Sequence, residues 1–366
     1  MKKTLLALTT ILTITILTCC IRTVRVNNTE VENETTEEET SEITTEEPSN
    51  DVTIEETSDS TTPASTSEEP TSTTSEAPTT FRDPETTRIP PILSGGAVTP
   101  NSINEHGKDL IVYGDIDPND PHVLALQDKQ LGYSKKISLA VWRKDGTRAI
   151  SYNTNQTYFS ACTIKIAYIL NLCKIIDSGK VDPDTLITYE KKHYHKGSGK
   201  IKYSNYGTQY SVRTLINLCL SISDNVAYEM LSDYFGHTEY YEMIDSLGCS
   251  SLKLKGIWAY NAKVRDYIII WNEVYNYFES GASMAEDLKI ACTNTDFNYG
   301  TETLADDIDY SHKSGDNFGA NAVYNDAGIV WTDNTYIYAV FTNSEGTRYD
   351  IDTVDTSMEH VFELMK

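Results

Sequence analysis

The stretch Tyr158-Phe159-Ser160-Ala161-Cys162-Thr163-Ile164-Lys165, with the run that follows it, constrains this chain more than any other. From Ile164 to Ile176 nearly every position is apolar, Ile166, Ala167, Ile169, Leu170 and Leu172 among them. A run of that length reads as a helix, and a helix apolar nearly all round is a buried one. Ser178-Gly179 marks its end. Lys165 stands at its start, where a buried ammonium is costly unless it has a partner or a task. Cys162 lies three residues earlier, on the same helical face. A nucleophile one turn from a lysine, at the mouth of a buried helix, points to acyl transfer.

The chain divides around this element into residues 1–20, 21–94 and 95–366. Residues 1–20 read as an export signal: Lys2 and Lys3 precede the apolar stretch Leu5 to Thr18, which is short for a membrane span. Leu17-Thr18-Cys19-Cys20 resembles the lipobox of bacterial lipoproteins, in which a cysteine becomes the lipid-bearing N-terminus. Cys20 is the favoured position, with Leu17 three residues before it and a small residue directly before it. Cys19 is the alternative, and an ordinary cleaved signal with incidental cysteines is the competing reading. The expectation is a protein held by lipid alone on the outer face of a bacterial cell membrane.

Residues 21–94 are rich in Thr, Ser, Glu and Pro, with Arg22, Arg25, Arg82 and Arg88 as their basic residues. Such a stretch has little to bury against the entropy of ordering it, so it reads as a disordered, charge-extended stalk. It carries much of the net charge of −24. No basic run is longer than Lys191-Lys192, which argues against a nucleic-acid partner. A monomer is expected. Of seven cysteines, two sit at the signal junction. Cys162, Cys173, Cys219, Cys249 and Cys292 remain, an odd set without the spacing of a disulfide framework. Cys173 and Cys219, within apolar helical runs, read as small core residues.

Residues 95–366 suffice for a substantial core. Helices are expected at Asp117–Leu131, Cys162–Asp177, Val212–Ser221, Val226–Tyr234, Glu239–Ser246, Val264–Phe278, Met284–Cys292 and Thr353–Met365. Ile137–Trp142 and Arg148–Tyr152 form a hairpin around Lys144-Asp145-Gly146-Thr147, and Ala322–Trp331 and Thr335–Thr342 form another. Strands at both ends of the domain and helices between them imply an α/β lobe into which an all-helical lobe is inserted.

Ser223-Asp224-Asn225 follows one apolar helix and precedes another, and Lys313-Ser314-Gly315 lies in a strand-like segment. Together with Cys162-Thr163-Ile164-Lys165 they resemble the Ser-x-x-Lys, Ser-Asp-Asn and Lys-[Ser/Thr]-Gly set of class A β-lactamases and penicillin-binding proteins. Gly197-Ser198-Gly199 and the run Tyr210 to Ile216 fit that family's approach to Ser-Asp-Asn. The resemblance implies a class A β-lactamase-like fold: an antiparallel sheet flanked by helices, with an inserted helical lobe. It implies Cys162 as nucleophile and Lys165 as its proton partner. Ser223 would protonate the leaving nitrogen, and Asn225 would bind the substrate amide. Lys313, Ser314 and Gly315 would bind the substrate, Lys313 with its charge and Ser314 with its hydroxyl. The backbone N–H groups of Cys162 and Asp316 would form the oxyanion hole. Asp224 reads as structural, and Ser223 and Asn225 as helix caps is the competing reading. Neither a cofactor nor a metal is implied.

Two departures matter. Cysteine stands where the family has serine. Lys165, Lys313 and a helix N-terminus would depress its thiol, giving a thiolate facing an ammonium. The region matching the family's omega loop, Cys249 to Lys263, contains no Asp or Glu, whereas class A enzymes carry there the glutamate that activates the deacylating water. Asp266 follows, at a position suited to the N-terminus of its own helix. His193-Tyr194-His195 lacks a third ligand and reads as a solvated loop rather than a metal site. Strand alternation turns His312 away from any site that Lys313 faces. Two functions follow: an acyl-transfer hydrolase on β-lactams or peptidoglycan D-Ala-D-Ala stem peptides with slow deacylation, or a non-catalytic member binding wall peptides or a protein partner.

Overall fold

The computed structural model describes residues 92–93, 97–104, 109–132, 137–297, 304, 308–344 and 347–366. The signal, Cys20 and nearly all of the stalk lie outside the described residues. The strands are β1 (Ile92–Leu93), β2 (Ile111–Gly114), β3 (Ile137–Arg143), β4 (Arg148–Tyr152), β5 (Leu186–Thr188), β6 (Gln209–Ser211), β7 (Leu254–Lys255), β8 (Trp258–Ala259), β9 (Asp309–Asn317), β10 (Val323–Trp331) and β11 (Tyr336–Thr342). The helices are α1 (Pro121–Gly132), α2 (Lys165–Asp177), α3 (Val212–Ser221), α4 (Asn225–Phe235), α5 (Thr238–Ser246), α6 (Val264–Phe278), α7 (Ala285–Thr293) and α8 (Arg348–Met365).

Seven strands form one sheet in the order β1-β2-β4-β3-β11-β10-β9. All neighbours are antiparallel except β1 and β2. β1 draws Ile92 and Leu93 out of the stretch assigned to the stalk. The two ends of the domain join where β3 pairs with β11, Ala140 opposite Ala339. Alternation then sorts the side chains between two cores. Leu139, Val141, Tyr338 and Val340 share a cluster with Val354, Met358 and Val361 of α8. Ala140, Trp142, Ala339 and Phe341 belong to the larger cluster that includes α6 and α2. A sheet covered on both faces explains why β11 and nearly all of β10 are buried on both faces, Asn325 and Asp326 included.

The helical lobe lies in sequence between β4 and β9. Within α2, Ile166, Ile169 and Leu170 are fully buried, each contributing ~1.5–3 kcal/mol. Together they offset the cost of carrying Lys165 into the interior. Helix boundaries follow local capping. α1 starts at Pro121 rather than Asp117, because the Asp120 carboxylate accepts from His122 N at 2.8 Å and proline suits the first helical position. α8 starts upstream of the expected Thr353. β2, β1 and the two-stranded pairs β5-β6 and β7-β8 are additions to the expected elements.

Candidate active site

The segment before α2 is tied to the region corresponding to the omega loop. Ser160 N donates to Ala259 O at 2.8 Å, and Ala259 N donates back to Ser160 Oγ at 3.1 Å. Tyr158 and Ala262 exchange two N–H···O bonds of 2.9 Å. From this tie the chain enters a 3₁₀ turn, Ala161–Ile164, and becomes α-helical at Lys165. Periodicity alone starts the α-helix at Cys162. The tighter turn still leaves Cys162 and Lys165 on one face, because residues i and i+3 eclipse there. Ala161 has φ 45° and Ser223 φ 54°. A left-handed alanine costs about 1–2 kcal/mol and persists where its surroundings over-determine it.

Lys165 is fully buried. Its Nζ donates to Ser223 O at 2.6 Å, Asn225 Oδ1 at 2.7 Å and Ser223 Oγ at 3.3 Å. All three acceptors belong to the corner between α3 and α4. Asp224 builds that corner. Its Oδ1 accepts from Val226 N and Ala227 N at 2.9 and 3.0 Å, capping α4. Its Oδ2 accepts from Lys200 N and Ile201 N at 2.7 and 2.9 Å. The cap is thus Asp224, which leaves the side chains of Ser223 and Asn225 to face Lys165. Gly199 is at φ 103°, and a Cβ there would lie 2.2 Å from the Asp224 carboxylate carbon; only glycine lets this loop close on the corner.

Cys162 Sγ lies 3.7 Å from Asn225 Oδ1, the oxygen that also accepts from Lys165. No direct hydrogen bond joins Cys162 Sγ and Lys165 Nζ; both meet Asn225 Oδ1. Lys165 is committed to neutral acceptors and acts on the thiol through space. Burial raises the Cys162 thiol, but Lys165, Lys313 and a hydrogen bond from Ser223 outweigh it, with Asp316 opposing, so the thiol lies below its ordinary value. Cys219, also buried, is pushed up to about 12 by burial. The five cysteines from Cys162 onward are free thiols, and Cys162 is the one not fully buried.

β9 closes the site from the edge of the sheet. An ideal Cβ on Gly315 would stand 2.5 Å from Cys162 N and 2.8 Å from Thr163 N, so glycine sets how closely this strand meets the nucleophile turn. Lys313 is buried, its Nζ donating to Ser314 O at 2.9 Å. Burial holds its ammonium below the ordinary lysine value, with the Cys162 thiolate acting the other way. That Ser314 carbonyl is turned toward Lys313, and Asp316, two residues on, repeats its backbone orientation. Ser314 Oγ donates to Phe297 O at 3.0 Å. His312 faces away from Lys313 as alternation requires: its Nδ1 meets Asp326 at 3.0 Å and its Nε2 meets Thr295 Oγ1 at 2.6 Å.

Asp266 stands in the first turn of α6 as expected, and its Oδ2 also accepts from Ser251 N at 3.2 Å and Ser251 Oγ at 2.6 Å, pinning the start of the omega-like region. One loop assignment changes. His193 is not solvated. It is buried, accepting from Glu190 N at 3.0 Å and meeting Asp233 Oδ2 at 3.1 Å. Among the described residues no group of three His, Cys, Asp or Glu is placed to hold a metal.

The sequence reasoning missed an aromatic wall. Phe159 packs on Trp258 and Tyr260, and Trp258 on Tyr228 and His195. The rings of Tyr228 and Trp258 each lie 5.9 Å from Lys165 Nζ, at the outer range of a cation–π contact. Trp258 and Tyr260 were visible in the carboxylate-free stretch Cys249 to Lys263, and Phe159 beside Cys162. Nothing in the spacing joined them.

This geometry, an antiparallel sheet whose edge strand meets a nucleophile turn under an inserted helical lobe, is the class A β-lactamase-like fold. The sequence profile described as "Beta-lactamase enzyme family" matches residues 125–358, and the chain belongs to that family of hydrolases. Among solved structures, an acyl-enzyme complex of a PBP-A mutant with penicillin G is 20% identical with a TM-score of 0.59, over 66% of this chain and 94% of that one. A β-lactamase from Sphaerobacter thermophilus is 19% identical with a TM-score of 0.59, over 68% and 98%. A class A β-lactamase representative from Bacteroides cellulosilyticus is 18% identical with a TM-score of 0.57, over 68% and 99%. At these identities the likeness is one of fold. A comparison with curated proteins found no match.

Proposed function

We propose that the chain is an acyl-transfer hydrolase that forms a thioester on Cys162 with β-lactams or the D-Ala-D-Ala ends of peptidoglycan peptides. The observation that carries this is the convergence of Ser223 and Asn225 on the buried ammonium of Lys165 beside a half-buried thiol. In this reading the Cys162 proton passes to solvent, and the Lys165 ammonium, held by its neutral acceptors, stabilises the thiolate. The thiolate attacks the substrate carbonyl, and Ser223 protonates the departing nitrogen. The N–H groups of Cys162 and Asp316 hold the oxyanion, and Asn225 holds the substrate amide. Lys313 and Ser314 receive the substrate carboxylate, which must compete with Phe297 O for the Ser314 proton.

Deacylation is slow in this reading, because aromatic rings occupy the side of the site where the family's glutamate would activate water. Loss of a general base typically costs roughly 10²–10⁴-fold. The greater reactivity of a thioester over an ester offsets part of that. Intact-protein mass spectrometry after exposure to penicillin G and to a D-Ala-D-Ala-type thioester tests it. The expected result is one added acyl mass that persists for minutes and is absent from Cys162→Ala. Rapid multiple turnover of nitrocefin would overturn slow deacylation, and absence of any adduct would favour the non-catalytic binder. The cellular setting belongs to the same proposal: export, lipidation at Cys20, and a monomeric domain carried on an acidic stalk.

A further inference from the structure

We propose that His195 is a positioning residue for the nucleophile: through the Lys196 carbonyl it fixes the Asn225 amide in the orientation that presents Oδ1 to Lys165 and Cys162. The acyl-transfer reading gives His195 no role. Asn225 is held at both ends of its amide. Its Oδ1 accepts from Lys165 Nζ at 2.7 Å and lies 3.7 Å from Cys162 Sγ. Its Nδ2 donates to Lys196 O at 2.9 Å. A flipped amide would set N–H groups against the ammonium and an oxygen against the carbonyl. Lys196 O therefore decides which end of Asn225 faces the nucleophile.

His195 holds that carbonyl. Its Nδ1 lies 2.6 Å from Lys196 O, and a carbonyl oxygen only accepts, so Nδ1 carries the hydrogen. Two donors thus meet the two lone pairs of Lys196 O, one from the loop and one from α4. Lys196 lies outside helix and strand, so no ladder aims its carbonyl. The His195 ring is placed in turn by Trp258, edge to face with 5.9 Å between centroids, and Trp258 belongs to the aromatic wall beside Lys165. The loop fits closely here. Gly197 has φ 96°, and a Cβ on it would lie 2.7 Å from Asn225 Nδ2. Asn225 N donates to Ser198 O at 3.2 Å. A small turn of the Lys196 peptide therefore passes directly to Asn225.

What this positioning serves rests on the acyl-transfer reading, but the positioning itself is read without turnover. Two variants separate the donor from the ring. His195→Asn keeps an N–H near the place of Nδ1 and loses the ring; His195→Phe keeps a ring on Trp258 and loses the donor. Alkylation of Cys162 by iodoacetamide is followed against pH, with peptide mapping to report the site; the other cysteines from Cys173 onward are buried. Asn225 Oδ1 accepts from the thiol and so favours its protonated form, and an ammonium short of one acceptor turns to the thiolate. Asn225→Ala is therefore expected to move the midpoint down. His195→Phe should move it the same way, His195→Asn should leave it near that of the unchanged protein, and His195→Phe should add nothing in the Asn225→Ala background. Acylation by penicillin G should fall about tenfold in His195→Phe although more thiolate is present, and recover in His195→Asn. An effect of His195→Asn without one of His195→Phe means that only the ring matters and overturns the proposal. So does an unmoved midpoint in Asn225→Ala, or a full additional shift in the double variant. If the alkylation pattern holds but the unchanged protein is acylated neither by penicillin G nor by a D-Ala-D-Ala-type thioester, the acyl-transfer reading fails while the positioning stands.

Discussion

Asn225 Oδ1 is the atom on which the chemistry of Cys162 turns. It accepts from Lys165 Nζ and lies beside Cys162 Sγ, so it links the two. A direct ion pair would lock the proton on lysine. A shared neutral oxygen instead leaves Lys165 to lower the thiol through space while it is held by three acceptors. Lys165→Ala removes the nearest positive influence on the thiol, which comes ahead of Lys313 among the groups that lower it. The Cys162 pKa should therefore rise. The rate of iodoacetamide alkylation against pH should move its midpoint upward, and Lys313→Ala should move it in the same direction by less. A midpoint unchanged in Lys165→Ala would mean that the two side chains do not communicate. Both residues were legible from their spacing. The role of Asn225 as the shared acceptor was not, because it depends on where the α3–α4 corner falls in space.

At the scale of elements, β9 and the nucleophile turn are held at a separation that only glycine permits. A methyl at position 315 would sit 2.5 Å from Cys162 N and 2.8 Å from Thr163 N. Both are backbone atoms, in a turn already tied by Ser160 and Tyr158 to Ala259 and Ala262, so neither can yield cheaply. Gly315→Ala should cost about 1–3 kcal/mol, read as a lower urea midpoint. By pushing the strand from the turn it should also slow acylation of Cys162 at least about tenfold, since a small misplacement of an oxyanion donor is costly. A variant acylated at the normal rate would show that β9 does not set the site. The same scale shows what the pattern could and could not reveal. Long apolar helices such as α6 and the hairpin of β10 and β11 were legible because burial and period agree over many residues. β2 was missed because four residues carry too little period, and β7 and β8 because two-residue strands carry none. His193 was misplaced for a related reason: its partner Asp233 is distant in sequence and no local rule points to it.

At the scale of the whole molecule, charge and reach belong to the proposed setting. If residues 21–94 are the proposed stalk, a flexible chain of that length would span roughly 50 Å end to end, and more where like charges extend it. In the proposed setting, an acidic stalk would be repelled by an anionic membrane surface. That arrangement has a purpose only if the N-terminal end is fixed, and the proposed fixing point is Cys20. In the proposed function, a domain forming a long-lived thioester would gain from being held where wall peptides are concentrated, because tethering raises effective concentration without any new contact. The prediction is that globomycin, which blocks lipoprotein signal cleavage, leaves a precursor retaining residues 1–19, and that Cys20→Ala releases no normally processed lipid form. Intact mass of the membrane fraction reports both. If instead the protein is found in the medium, cleaved and without lipid, the anchor is wrong. If processing persists in Cys20→Ala and is lost only when Cys19 is also replaced, the lipid is on Cys19.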